Sequence, residues 1–371
     1  MNKRYYHWIK LQRRYRATQQ RWAENQDRYL KVKLDRIGRR LHRLNRSWRL
    51  GVSTAALTAW LMVMPGATVN AQVFAPTIDL SSGLDAADGF EIYGEVGGEA
   101  SPVASVESVG DLNGDGIDDL VFGAPSTNNY AGTVYVVFGK QPTDGFGTNV
   151  KVDDLNGTNG FKISGENGSD RLGASLGVSG DLNGDGVNDL AISATNAQNR
   201  TGVTYVIFGK KQTDTFSAEI ALSSLDEADG FKVVGENPDD FSGGSLSTAG
   251  DLNADGINDL VIGAYKVDID SKTDVGKTYV VFGKAQTESF GSELSLSSLN
   301  GNNGFSLIGE AEFGQSGRSL STAGDLNNDG IHDLVVGVPG DDVTYVVFGK
   351  EQSDTFGAEV AHTIQNGIDG F

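Results

Sequence analysis

The residues with the most distinctive chemistry are carboxylates and carboxamides in a spacing that recurs four times. Each set reads D-x-N-x-D-G-x-x-D: Asp111, Asn113, Asp115 and Asp119; Asp181, Asn183, Asp185 and Asp189; Asp251, Asn253, Asp255 and Asp259; Asp325, Asn327, Asp329 and Asp333. If the backbone curls, the oxygens at positions 1, 3, 5 and 9 turn inward. Position 7 can add its carbonyl, from Ile117, Val187, Ile257 or Ile331. Gly116, Gly186, Gly256 and Gly330 follow position 5 and permit the tight turn. An all-oxygen set of this kind suits a hard cation of irregular, high coordination, which points to calcium. Magnesium demands a stricter octahedron, and zinc, copper and iron favour nitrogen or sulfur ligands. An Asx-rich turn is the alternative reading, but it leaves three carboxylates in one short loop repelling each other. The pattern predicts about four Ca2+ per chain. The loop lacks the twelfth-position Glu of an EF-hand, and strand-like runs flank it.

The surroundings are acidic. From Gln72 onward there are 46 Asp or Glu against 14 Lys or Arg, a charge of −32. Such a surface repels nucleic acid and anionic lipid and attracts divalent cations, so no nucleic acid is expected on this region. The chain has no cysteine, which excludes disulfides, thiol ligands and thiol chemistry.

The elements that must position the loops also recur. Four landmarks appear in fixed order. A Gly-Phe pair opens a short strand at Gly89-Phe90, Gly160-Phe161, Gly230-Phe231 and Gly304-Phe305. A Gly-Asp pair opens each acidic loop, the loops standing 70, 70 and 74 residues apart. A hydrophobic run then ends in a small-residue turn, and a strand ends in FGK at 133–140, 204–210, 278–284 and 344–350. Runs such as Tyr279-Val280-Val281-Phe282 are β-branched and aromatic and are bounded by glycine. A further short strand holding Leu246 or Leu320 leads into the loop, so each unit has about four strands and no helix-length segment. The segment after each FGK is read as a connection that adds an edge strand. A sheet of four short strands cannot bury its own faces, but stacking against neighbouring sheets can. The fold class is therefore all-β, a β-propeller-like array of about four blades. A parallel β-helix is the alternative.

The repeats resemble a known family. Gly243, Ser245, Gly250-Asp251, the calcium loop and residues 260–264 are similar to the FG-GAP repeats of the integrin alpha-chain N-terminal propeller. The fourth copy carries the fullest motif, in Phe313-Gly314, Gly324-Asp325 and Gly337-Val338-Pro339, and the first reads Gly123-Ala124-Pro125. The resemblance spans residues 85–371 and implies that each calcium holds a hairpin between neighbouring strands of one blade. It also implies that ligands engage elsewhere. The copies depart from the motif at Pro102-Val103, Leu172-Gly173, Phe241-Ser242, Tyr265 and Ser193-Ala194-Thr195. The family ring usually has seven blades, whereas four complete loops are present here. If a blade begins before each loop, its last strand is opened by the next Gly-Phe, and the fourth blade needs the strand at Gly370-Phe371. Either the strand 90–94 completes that blade and closes a four-membered ring, or the array is incomplete or truncated, the reading favoured here. An uncovered sheet edge invites self-association.

Two segments precede the repeats. Residues 1–49 hold 16 Lys or Arg and only Glu24, Asp27 and Asp35 as acids. Trp8, Tyr15, Trp22 and Tyr29 stand seven apart, and Leu30, Leu34, Ile37, Leu41, Leu44 and Trp48 follow a helical spacing. A basic amphipathic leader of this kind suits an anionic membrane surface, or has no role after export. Residues 50–71 are an apolar run broken by Pro65-Gly66 and ending in Val69-Asn70-Ala71, which reads as a signal peptide cleaved after Ala71. An uncleaved anchor is the alternative. The domains expected are thus 1–49, 50–71 and the repeat domain 72–371, with the last secreted, periplasmic or on the cell surface.

These features point to a calcium-binding surface or secreted protein that adheres to extracellular protein or glycan. A structural envelope or matrix module is the alternative. A hydrolase is the third reading, because Gly173-Ala174-Ser175-Leu176-Gly177 fits G-x-S-x-G. The same positions read Gly243-Gly244-Ser245-Leu246-Ser247 and Gly317-Arg318-Ser319-Leu320-Ser321, so the serine belongs to the repeat. His332 and His362 have no Ser–Asp context. No catalysis is expected. Residues 266–277 are the longest variation among the blades and read as either a recognition loop or a hairpin extension.

Overall fold

Short runs of β-branched and aromatic residues bounded by glycine form strands throughout this computed structural model, which describes residues 89–94, 103–141, 143–354 and 356–361. The leader 1–49 and the apolar segment 50–71 lie outside the described residues. The chain divides into units Met1–Ile78 and Asp79–Phe371, and every described residue belongs to the second.

In chain order, β1 (Glu91–Tyr93) comes first. The first repeat supplies β2 (Ser105–Gly110), β3 (Asp119–Ala124), β4 (Thr133–Val137), β5 (Asn149–Lys151) and β6 (Gly160–Ser164). The second supplies β7 (Leu172–Gly180), β8 (Asp189–Ala194), β9 (Val203–Ile207), β10 (Glu219–Ala221) and β11 (Gly230–Val234). The third supplies β12 (Ser245–Gly250), β13 (Asp259–Ala264), β14 (Lys277–Val281), β15 (Glu293–Ser295) and β16 (Gly304–Ile308). The fourth supplies β17 (Ser319–Gly324), β18 (Asp333–Val338), β19 (Val343–Val347) and β20 (Glu359–Ala361).

Each of the first three repeats folds as an antiparallel meander, β2-β3-β4-β6, β7-β8-β9-β11 and β12-β13-β14-β16. The outer strand is the one opened by Gly-Phe, as the landmarks predict. These meanders exclude the parallel β-helix. The connection after FGK adds the expected edge strand, and adds it in parallel: β10 on β6, β15 on β11, β20 on β16 and β5 on β1. The fourth repeat forms β17-β18-β19. Among the described residues β1 pairs with β5, and no pairing of β1 with β19 is seen. The short segments Thr127–Tyr130 and Ala197–Arg200 are tight turns with left-handed residues at Asn128, Asn129, Gln198 and Asn199.

Alternating strand residues face opposite neighbours, so each middle blade is buried on both sides. Val121, Val136, Phe161 and Ile163 of the first blade pack on Leu172, Leu176, Leu190 and Ile192 of the second. Ala191, Val206, Phe231 and Val233 of the second pack on Leu246, Leu260, Ile262 and Tyr279 of the third. Val261, Val280 and Phe305 of the third pack on Leu334, Val336 and Val347 of the fourth. Two-sided burial leaves every residue of β8 and β13 buried, where a half-exposed strand alternates.

A ring clamp holds each fifth strand. The Phe of the Gly-Phe pair stacks on a Phe from the next connection: Phe90 on Phe146, Phe161 on Phe216, Phe231 on Phe290 and Phe305 on Phe356, with centroids 4.2, 4.5, 4.2 and 4.2 Å apart. The Lys of FGK then covers the second ring, as Lys210 does over Phe216 at 5.2 Å and Lys284 over Phe290 at 4.9 Å. Phe231, 1% exposed, is the core member of its clamp, while Phe290 is only partly buried. Phe231→Ala is expected to cost about 3–5 kcal/mol, as large-to-small changes of buried aromatics do, and Phe290→Ala clearly less. Urea unfolding checks this, and equal losses at the two positions contradict it.

Candidate metal centres

Each acidic loop joins the innermost strand of a blade to the second, 111–119 between β2 and β3 and its counterparts in the other repeats. Short polar side chains organise these loops by accepting from their own backbone. Asp111 Oδ1 accepts the Asp115 N–H at 3.0 Å, and its Oδ2 accepts the Gly116 N–H at 2.7 Å. Asn113 Oδ1 accepts the same Asp115 N–H at 3.0 Å, and Asp115 Oδ1 accepts from Ile117 N–H at 2.9 Å. The pattern repeats around Asp181, Asn183 and Asp185, around Asp251, Asn253 and Asp255, and around Asp325, Asn327 and Asp329. Positions 1, 3 and 5 are therefore gathered around shared peptide N–H groups. The turn requires positive φ at position 6, and the four glycines there lie between +84° and +93°.

Position 9 does something the spacing does not reveal. Asp119, Asp189, Asp259 and Asp333 are all buried. Each uses both oxygens on backbone N–H groups. Asp189 Oδ2 accepts from Leu182 at 2.8 Å and Oδ1 from Gly209 at 2.9 Å. Asp119 likewise joins Leu112 to Gly139, Asp259 joins Leu252 to Gly283, and Asp333 joins Leu326 to Gly349. One carboxylate thus ties the loop entrance to the glycine of FGK. That glycine has no space for a side chain: at Gly209 a Cβ would stand 2.3 Å from the Asn188 carbonyl oxygen and 2.6 Å from the Val187 side chain. Ile117, Ile257 and Ile331 press on Gly139, Gly283 and Gly349 in the same way. The FGK glycines are site residues that the reading of the sequence used only as landmarks.

Burial pushes the Asp119 carboxyl up to about 6 and that of Asp189 up to about 8, and raises Asp259 well above the usual carboxylate range. In all three the two backbone donors act in the opposite sense, and the acids at positions 5 and 1 add to the rise. Among the described residues no three acidic or histidine side chains close into a cage. Peptide donors do the gathering instead. An oxygen that accepts one N–H retains a second lone pair, so the loops present hard oxygen donors in excess of local positive charge. That donor chemistry fits calcium.

The loops are also the joints between blades. The Asp111 and Leu112 carbonyls accept from Asn188 N–H and Lys210 N–H of the next blade at 3.2 and 2.9 Å. Asp181 and Leu182 accept from Asn258 and Lys284, and Asp251 and Leu252 from His332 and Lys350, at the same distances. His332 sits at a non-ligand position, where its Nδ1 accepts the Asp251 N–H at 3.2 Å.

The remaining candidates resolve as structure. The Ser175 N–H donates to Ser193 Oγ, which in turn donates to the Ser175 carbonyl, and Ser245 Oγ donates to the Gly317 carbonyl. The backbone of the G-x-S-x-G serine is thus tied across strands by the Ser193 hydroxyl, and its counterpart in the third repeat, Ser245, ties two blades. Residues 266–277 form a hairpin extension with Val267 and Val275 buried, an Ile269–Lys272 bridge, and carbonyls that accept from Phe313, Gln315 and Ser316.

This architecture matches known proteins. The FG-GAP repeat family matches residues 104–137, 172–207, 242–281 and 316–353. Integrin alpha pat-2 of Caenorhabditis briggsae is 29% identical over 174 residues, 44% of this chain and 12% of that protein. Integrin alpha-5 of Xenopus laevis is 28% identical over 254 residues, 66% of this chain and 20% of that protein. Phosphatidylinositol-glycan-specific phospholipase D of Bos taurus is 31% identical over 176 residues, 46% of this chain and 19% of that protein. The matched spans are thus a fifth or less of these relatives' own lengths. The chain carries an integrin-alpha-like FG-GAP repeat domain, a class of repeat that generally binds calcium.

Asp189→Asn keeps the size of the side chain but turns an amide NH2 toward one of two buried N–H groups. At a pH above about 8, where the carboxyl is ionised, it is expected to destabilise the chelator-treated protein by about 1–3 kcal/mol, the cost of an orphaned buried donor. Chemical denaturation measures it, and an unchanged midpoint contradicts the clamp.

Proposed function

We propose that the repeat domain is a calcium-stabilised extracellular binding domain, adhesive in kind, which takes protein or glycan partners on its loop-built faces and catalyses nothing. The observation that carries this reading is the fourfold gathering of Asp and Asn oxygens around shared loop N–H groups, with a buried carboxylate at position 9 of the same loop. In each loop the side chains at positions 1, 3, 5 and 9 and the carbonyl at position 7 hold one ion, giving about four per chain. A bound divalent cation supplies the neutralising charge that these carboxylates lack. The rest is done by the chain: peptide donors preset the loop, the position-9 clamp fixes its exit, and the loop carbonyls bind the next blade.

Adhesion is supported by the relatives named as integrin alpha chains. The relative named as a phospholipase D supports no hydrolase reading here, because Ser175 is a repeat position whose counterparts Ser105 and Ser245 tie blades together. Export through the apolar segment 50–71, with cleavage after Ala71 or retention as an anchor, places the acidic repeats outside the membrane and the basic leader on its inner side. Self-association through an uncovered blade completes the reading.

Asp185→Asn retains the acceptor oxygen that holds Val187 N–H and removes one charge. Native mass spectrometry is expected to find one calcium fewer per chain, with a lower Tm in calcium and an unchanged Tm in chelator. An unchanged calcium count contradicts the assignment. The sign with pH is also set. Without metal, Asp119 and Asp189 favour the protonated form in the fold, so their contribution is present near pH 4 and lost as pH rises through about 6 and about 8. Calcium needs the ionised form, so the Tm gain from calcium is expected to grow from pH 5 to pH 8.

A further inference from the structure

Each junction between blades has two ends. The acidic loops stand at one of them. The antiparallel strands carry the chain to the other, where the turns 125–132, 195–202 and 265–276 meet the segments that enter the next blade. Residues 72–371 hold three arginines, and all three lie at this second end. One serves each junction, set over an aromatic ring from the opposite side of the joint. Arg171 lies over Tyr130 at 5.9 Å, Arg200 over Phe241 at 5.7 Å and Arg318 over Tyr265 at 4.7 Å. Arg200 is also paired with Asp239 of the segment it meets. Beside each couple a backbone bond crosses the joint: Leu172, Ser242 and Ser316 N–H donate to the Ala131, Thr201 and Val275 carbonyls at 2.9, 3.1 and 2.9 Å.

The couple persists although its members change places. Tyr130 and Arg200 hold one position in their turns, since their carbonyls accept from Arg171 N–H and Phe241 N–H at 2.8 and 2.9 Å. Ring and cation are thus exchanged between the first junction and the second. At the third, Asp274 and Gln315 take those positions, bonded at 3.0 Å, and the couple reappears as Tyr265 and Arg318. The backbone gives no reason for such bulky groups. Tyr130, Arg171, Arg200 and Phe241 have φ of +61°, +61°, +66° and +53°, where glycine is favoured and a Cβ is strained. Burial does not repay that strain at Tyr130, which is 52% exposed. Contact between cation and ring is what the four side chains have in common.

We propose that each blade junction is a hinge, with the Arg–aromatic couple and its adjoining backbone bonds as the pivot and the acidic loop as the edge that opens. The pivot carries its own cation, the guanidinium, and works without metal. The opening edge is held differently. At the second junction two bonds cross it, from Asn258 N–H to the Asp181 carbonyl and from Lys284 N–H to the Leu182 carbonyl. They lie beside Asp181, Asp185 and Asp189, whose charges repel one another until a cation is bound. Calcium is the catch on that edge, so the hinge deepens the calcium reading given above and rests on it for its trigger. When the catch is released, the loop ends part and Leu182, 0% exposed in the closed joint, meets water. The turn ends stay joined, so the blades keep their order and the joint can close again.

Native-state hydrogen exchange of the full chain, in chelator and in calcium, tests the hinge. In chelator the amides of Leu172, Ser242 and Ser316 are expected to be about tenfold better protected than those of Lys210, Lys284 and Lys350 at the same junctions. Equal protection within a junction overturns the hinge, whether or not calcium binds. Adding calcium is expected to slow the three lysine amides and leave the other three unchanged. Lysine amides unmoved by calcium defeat the calcium reading, while the order of opening in chelator still decides the hinge. Arg171→Gln removes the cation and is expected to lower protection at Leu172 about two- to fivefold in chelator, with an unchanged Tm in calcium. Tyr130→Arg with Arg171→Phe, the arrangement found at the second junction, is expected to restore it. Unchanged protection at Leu172 in the Arg171→Gln chain, or a swapped chain that folds without regaining protection, overturns the role given to the couple.

Discussion

The structure depends on what a cluster of carboxylates does when it is held close in a partly buried loop. Mutual repulsion drives them apart, and burial resists their ionisation. Here peptide N–H groups hold positions 1, 3 and 5 in place, and two further N–H groups hold position 9. Hydrogen bonds orient the oxygens without neutralising them. An excess of negative charge is left in each loop, and it is repeated four times in a region already carrying −32.

That local problem is tied to the architecture because the loops are also load paths between blades. The carbonyls at positions 1 and 2 accept from the next blade, and the acceptor for each FGK glycine is the position-9 carboxylate of its own loop. A disturbance in one loop therefore reaches three strands of its blade and the front of the following one. The aromatic clamp at the outer strand meets the loops through the FGK lysine, whose Nζ covers the ring while its N–H crosses to the preceding loop. It is expected to hold each blade's rim together while the inner joints loosen.

Much of this was legible in the sequence where the signal is local. The D-x-N-x-D-G spacing located the loops, the Gly-Phe pairs located the outer strands, and the FGK runs located the third strands. What was not legible depends on partners far along the chain. The duty of Asp189 becomes visible only when Gly209 is brought to it, and that of Leu112 only when Lys210 crosses from the next blade. Phe216 and Phe290 stood in plain view within the connections. No local pattern announces that they stack on the Gly-Phe ring of the preceding outer strand, so a parallel fifth strand is held there. Leu326 repeats Leu112, Leu182 and Leu252 in sequence, and only the fold reveals that it alone of the four is exposed.

The central claim is that cation-requiring loops hold the blades to one another. Amide hydrogen exchange with and without calcium tests it most directly. Chelation is expected to accelerate exchange at Lys210, Lys284 and Lys350, whose N–H groups cross the blade junctions, far more than at Ile192 in the centre of β8. Equal protection at the junction amides in calcium and in chelator contradicts the account.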